Sequence, residues 1–201
     1  MSKQAATDHP IHDPLAARWS PYGYSDREVD SADLRSLMEA ARWSASAFNE
    51  QPWSYLVARK ADGPEYDRIL SCLVEPNQAW AQAAPVLVLT VLAENYRRND
   101  KPNHSALHDL GQASANLAVE ATVRGLAVHQ MAGIIPDRAR ELFSIPEGYR
   151  AVTGLAIGYR ADPDGLPAEL RERDTMRRTR KPLEEFVFTG NWGDRAPLLT
   201  D

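Results

Sequence analysis

Seven consecutive residues, Val86 to Leu92 (Val-Leu-Val-Leu-Thr-Val-Leu), carry no charge and follow directly on Pro85. Their length and composition predict a strand buried on both faces. Around it, helical and extended patterns alternate. Leu34, Leu37, Met38 and Ala41 fall at i, i+3, i+4 and i+7, which predicts a helix starting at Ser31, with Ser31 as its cap, and ending before Pro52. Trp53–Arg59 is aromatic and β-branched and predicts a strand. A short helix is expected over Glu65–Leu73, and a long one over 104–124, closed by Gly125. That long segment is almost wholly apolar after Leu110 and rich in small residues, so burial or close packing against a second helix is expected. Leu126–His129 and Val152–Tyr159 read as strands, with Gly154 and Gly158 loosening the second. Pro136 suits the first position of a helix running to Phe143, and Leu166–Arg173 is a weaker helical stretch. Alternation of this kind gives an α/β or α+β class.

The 201 residues are 43% apolar and 25% charged, an ordinary globular composition for one domain. Residues 1–13 read as a flexible tail and 14–201 as a single domain. The net charge of −5 argues against general nucleic-acid binding, which needs a cationic surplus. One cysteine, Cys72, allows neither an internal disulfide nor a cysteine metal site, and a buried apolar role is expected for it. The start lacks the apolar core of a secretory signal, and no segment approaches the roughly 20 apolar residues of a membrane helix. A soluble cytoplasmic protein is expected. The closing segment, with Phe186, Phe188, Trp192 and Leu198, is too apolar for a free tail and is expected to lie on another surface, such as a partner subunit.

Three segments carry chemistry. Ser44–Trp53 (Ser-Ala-Ser-Ala-Phe-Asn-Glu-Gln-Pro-Trp) offers hydroxyls and amides suited to a planar heterocycle with imide and carbonyl groups, although the same residues suit a helix-ending turn. Arg177, Arg178, Arg180 and Lys181 form a basic run with no acid inside it, in an acidic chain, and fit a phosphate. Arg18 and Ser20, two apart, share one face of an extended segment and could meet one anion. Competing chemistries fit poorly. His104, His108 and Asp109 could approach a metal, but no glutamate stands between the histidines as a general base. No GxSxG elbow or phosphate loop occurs, and Gly154 and Gly158 lie in a strand pattern rather than a dinucleotide turn.

Taken in order, these segments resemble the nitroreductase family of flavoproteins, from about Arg18 to Trp192. The resemblance is carried by Arg18-x-Ser20, by Ser46 to Trp53 with Asn49-Glu-Gln51-Pro52-Trp53, by Asn77-Gln78, by Asn116-Leu117 and Gly125-Leu126, and by Arg178-x-Arg180-x-Pro182-Leu183-Glu184-Glu185. It implies an α+β fold with a mainly antiparallel sheet flanked by helices, and a homodimer whose C-terminal arms are exchanged and whose two flavin sites lie at the interface. It implies FMN as cofactor and NAD(P)H as co-substrate, with no catalytic side chain and no metal. Arg18, Ser20, Arg178 and Arg180 would hold the phosphate and ribityl chain, with Trp19 and Tyr22 alongside. Ser46, Asn49 and Asn77 would bond the ring edge and ribityl hydroxyls, Gln78 lying next to Asn77. Ala45 and Ala47 would contribute backbone, and Met131, Ala132 and Gly133 would line the ring near N5.

Three positions depart from the family pattern. A basic residue is common where Tyr22 stands and a proline where Ala45 stands, and some members carry an acid where Ala132 stands. The resemblance implies a ping-pong cycle that reduces a small electrophile such as a nitro compound, a quinone or an enone. Dehalogenation and flavin breakdown share the fold, and a flavin-storage protein is the rival from outside enzymology. No 2′-phosphate clamp is assignable, so NADH and NADPH both stay open.

Overall fold

The computed structural model describes residues 3–199. Of the expected tail and domain, Met1, Ser2, Thr200 and Asp201 lie outside the described residues. The elements in chain order are α1 (Asp13–Ala17), α2 (Ser31–Arg42), β1 (Trp53–Arg59), α3 (Pro64–Ser71), α4 (Glu75–Ala81), β2 (Val86–Ala93), α5 (Ala106–Val123), β3 (Ala127–Met131), α6 (Pro136–Phe143), β4 (Tyr149–Gly158) and α7 (Ala168–Thr175). The four strands form one antiparallel sheet in the order β1-β2-β4-β3. The class is α+β.

β2 is central, and its alternation explains why it is apolar on both sides. Leu87, Leu89 and Val91 pack with Tyr66, Ile69, Leu73 and Trp80 of α3 and α4 and the turn between them. Val86 and Val88 pack on the opposite face with Leu37 and Ala41 of α2 and with Ala113, Leu117 and Ala121 of α5. Thr90, the one hydroxyl of the run, is buried and pairs across the sheet with the Thr153 hydroxyl at 2.8 Å, which satisfies it.

The ends of α3, α5, β3, β4 and α7 all lie a few residues from expectation, and two further differences bear on packing. The α2 cap is Asp30, whose carboxylate accepts from the Ala32 N–H at 2.7 Å; Ser31 is already helical. α5 buries Asp109, Leu110, Ala113, Leu117 and Ala121, but its other side leaves Leu107, Gly111, Ala115 and Val123 exposed in the protomer. Helices α1 and α4 have no clear sequence signature, because each is short and carries its proline in the first turn. Gly158 does not loosen β4. A Cβ there would sit 2.4 Å from the Pro85 ring, so the glycine admits a close crossing of chain.

The N-terminal residues fold back on the body. Ala5 N–H donates to the Ala16 carbonyl at 2.9 Å, and the Lys3 ammonium donates to the Arg173 carbonyl at 2.9 Å. The closing arm knots on itself: Phe188 bridges to Arg195, and its ring lies 5.2 Å from that of Trp192, which is 93% exposed.

Candidate functional site

The residues marked out in sequence fall into three groups. The first is the loop after α2. Residues 47–49 make one 3-10 turn, and Phe48, Asn49 and Gln51 all adopt positive φ, at 56°, 54° and 53°. Left-handed backbone costs a non-glycine residue roughly 1–2 kcal/mol, so a loop with three such residues must be held from outside. Asp109 of α5 does this. It is 1% exposed, and its Oδ2 accepts from the Ser46 hydroxyl at 2.7 Å and the Ala47 N–H at 3.0 Å. The Ser46 Oγ accepts in turn from the Gln51 N–H at 2.9 Å, and the Gln51 amide donates to Asn49 Oδ1 at 3.0 Å. Buried Glu50 adds a second anchor, accepting from the Arg97 N–H at 2.6 Å.

These contacts refine the expected roles. Ser46 is engaged on both sides within the protein, so it orders the loop. The Ala47 N–H is taken by Asp109, and its carbonyl accepts from the Glu50 N–H. Ala45 is exposed, and the Asn49 amide nitrogen is left to donate outward.

The second group joins α4 to the end of β3. Asn77 Nδ2 donates to the Gly133 carbonyl at 3.0 Å, and the Val74 N–H donates to the same oxygen at 3.1 Å. A Cβ at Gly133 would meet Asn77 Nδ2 at 2.6 Å and Val74 at 2.8 Å, so only glycine permits this approach. Met131 is buried and packs near Gly154, which leaves its backbone rather than its side chain for a ligand. Ala132 is exposed. Gln78 donates to the Leu73 carbonyl at 2.6 Å, a contact internal to the fold.

The third group is cationic. Arg18 and Arg178 are half-buried and both lie close enough to Arg180 to feel its charge. Burial, and then the Arg180 charge, lower the Arg18 pKa; burial, and then Arg18 and Arg180, lower that of Arg178. None of the three has a carboxylate partner among the described residues. Arg178 is oriented by donating to the carbonyls of Lys3 at 2.9 Å and Ala16 at 2.8 Å, and Arg180 donates to the Thr179 carbonyl. Ser20 is half-buried. The Trp19 ring lies under the Lys3 ammonium, 4.3 Å from its centroid, and its buried indole N–H has no partner.

Tyr22 links the second and third groups. Its ring meets Trp80 of α4 edge-on at 5.0 Å and His129 of β3 at 4.7 Å. Its N–H and that of Gly23 donate to buried Asp174 at 2.8 and 2.9 Å. The hydrogen bonds of the first group run within its loop, to α5 and to Arg97.

A family model matches residues 15–159, described as the nitroreductase family. The chain belongs to the nitroreductase family. Its cationic stretch at 178–180 lies beyond the matched segment. A solved structure described as an oxidoreductase containing FMN is 32% identical, covers 94% of this chain and 96% of its own, and superposes with a TM-score of 0.87. The major NAD(P)H-flavin oxidoreductase of Aliivibrio fischeri is 24% identical over 89% of this chain and 98% of its own length. An uncharacterised 15.4 kDa protein of Mycolicibacterium smegmatis is 34% identical over 62% of this chain and 83% of its own.

Nitroreductase-family motifs led to the three groups, but not to the residues that hold them. Sequence spacing offers Asp109 only as a metal ligand beside His104 and His108, and no cluster that could hold a metal ion is found among the described residues. Its one sequence signal is a carboxylate facing into an apolar helix. Asp174 and Glu50 carry no sequence signal: an acid beside Arg173 reads as a solvated face, and Glu50 sits in a polar turn between Asn49 and Gln51.

Proposed function

We propose that this chain is an FMN-dependent oxidoreductase that takes hydride from NAD(P)H and reduces a small electrophile. The observation that carries the reading is the cluster of half-buried Arg18 and Arg178 with exposed Arg180, brought together from the two ends of the chain, where Arg178 is held on the Lys3 and Ala16 carbonyls and none of the three has a carboxylate partner among the described residues. Folding like charges together costs free energy unless a ligand supplies the missing anion, and a phosphate monoester matches the arginine fork. The donor set therefore fits the FMN phosphate.

Bound there, FMN would supply the two-electron carrier between nicotinamide and acceptor. Arg18, Arg178 and Arg180 hold the phosphate, with Ser20 and Trp19 beside it. Asn77, fixed by the Gly133 carbonyl, keeps its Oδ1 to accept from the cofactor, and Ala132 and Gly133 present backbone next to it. Asn49 completes the ring edge. The described hydrogen bonds of the 45–49 loop run to α5 and Arg97 rather than to the other two groups, which supports a site built from two copies. The exposed small-residue side of α5 and the aromatic arm from Phe186 to Leu198 are the surfaces proposed to form that homodimer. Donor and acceptor would occupy the same space in turn, giving ping-pong kinetics with a nitro compound, quinone or enone as acceptor.

Titration of apoprotein with FMN and with riboflavin tests the phosphate assignment. FMN should bind roughly 100-fold more tightly, the scale of one or two charge-assisted hydrogen bonds, and Arg180→Ala should narrow the gap. Equal affinity for the two would overturn it.

A further inference from the structure

Phe48 is 72% exposed and sits at positive φ, yet its ring is fixed in place. Tyr96 meets it edge-on at 6.0 Å, and the Arg98 guanidinium lies 4.0 Å from its centroid and 5.0 Å from that of Tyr96. The Arg97 guanidinium donates to the Glu50 carbonyl at 3.1 Å, and the Arg97 N–H to the Glu50 carboxylate at 2.6 Å. These bonds tie the segment after β2 to the loop after α2, so the three side chains belong to one rigid unit. Two neighbouring guanidiniums are engaged elsewhere: Arg97 pairs with Glu50 and Arg150 with Glu94. Arg98 has no carboxylate partner among the described residues.

A chain gains by relaxing strained backbone and burying an aromatic ring. Here both gains are forgone, and a guanidinium is stacked on the ring. Stacking uses the guanidinium face and leaves its in-plane N–H fork directed at a ligand. We infer that Phe48, Tyr96 and Arg98 form a recognition platform for planar acceptors that carry a carboxylate. The conjugated ring of the acceptor packs on Phe48 and its carboxylate meets the Arg98 fork. The reduction of that acceptor rests on the flavin reading, since Phe48 lies between Ala47 and Asn49. The binding preference does not.

Isothermal titration of the purified protein with 4-nitrobenzoate and with its neutral isostere 4-nitrobenzamide tests this, with the flavin spectrum recorded on the same sample. The carboxylate should bind about fivefold more tightly, as befits a solvent-accessible ion pair, and added salt should erode the difference. Arg98→Gln should bring the ratio to about one, whereas Arg35→Gln, on the exposed side of α2, should leave it intact. Phe48→Asn, which tolerates the backbone but removes the ring, should weaken both ligands. Equal affinities in the unmodified protein, or a ratio that survives Arg98→Gln, would overturn the inference. A preference that persists in colourless protein unable to bind FMN keeps the platform and removes the redox reading. Flavin-loaded protein without the preference does the reverse.

Discussion

Asp109 and Ser46, 63 residues apart in sequence, are joined by a 2.7 Å hydrogen bond beneath the loop that follows α2. The carboxylate belongs to the longest helix and is almost wholly buried, so the loop is referenced to the core and not to solvent. The three left-handed residues from Phe48 to Gln51 persist because this anchor and Glu50 over-determine their backbone.

Replacing Asp109 by alanine strands two donors, the Ser46 hydroxyl and the Ala47 N–H. An unsatisfied buried group costs about 1–3 kcal/mol, so two donors stranded in part-buried positions should show in urea unfolding as a loss in the lower part of the range of about 2–6 kcal/mol. Asp109→Asn keeps an acceptor oxygen and should lose less. Flavin affinity should fall in the same order. An alanine variant as stable as the parent would show that the loop holds itself.

The arginine cluster predicts a response of opposite sign with and without an anion. Arg180→Ala removes a like-charge neighbour of Arg18 and Arg178 and should leave the anion-free protein as stable as before, or slightly more so. Inorganic phosphate should raise the melting temperature of the parent, by about 2.7 kcal/mol of stabilisation at 100 times its Kd, and do so far less in the variant. A phosphate response that is equal in both would place the anion elsewhere.

His129 gives a pH dependence whose sign follows from its surroundings. Burial lowers its pKa from the ordinary 6.5, against smaller opposing effects of the Pro21 carbonyl and Asp174. The neutral ring, with Nδ1 2.8 Å from the Pro21 carbonyl, is the form the fold prefers. Between the folded pKa and 6.5 the unfolded chain binds the extra proton and the folded chain does not. This contribution is therefore complete above 6.5, falls as pH drops through that value, and levels off below the folded pKa. His129→Gln, which retains an N–H donor, should lower melting temperature less between pH 7.5 and 5.5 than the parent does. Parallel curves would refute the assignment.

Gly133→Ala would force a methyl into the Asn77 amide and Val74. Overpacking of this kind costs about 1–3 kcal/mol. Because Asn77 is the neighbour displaced, flavin affinity should drop more than stability alone explains.

The sheet was legible because its strongest signal is local: seven apolar residues in β2 leave few alternatives, and Pro136 and Gly125 mark helix ends by backbone restriction alone. α4 escaped because Asn77 and Gln78 read as site polarity when they also lie on a helix whose other side, Trp80 and Ala81, fills the core. Residue type alone marks out Arg178 and Arg180 as candidates, because a guanidinium matches a phosphate whatever its surroundings. The site was not legible where function depends on a distant partner. Nothing near Ser46 in sequence announces Asp109, and its hydroxyl, expected on the cofactor, is turned inward. The pairing arises only once α5 lies against α2.

The most direct measurement is the visible absorption spectrum of the purified protein, before and after anaerobic addition of NADH or NADPH. Flavin bands should bleach on addition and return when a nitro compound, quinone or enone is supplied. A colourless protein that also leaves added FMN unbound would contradict it.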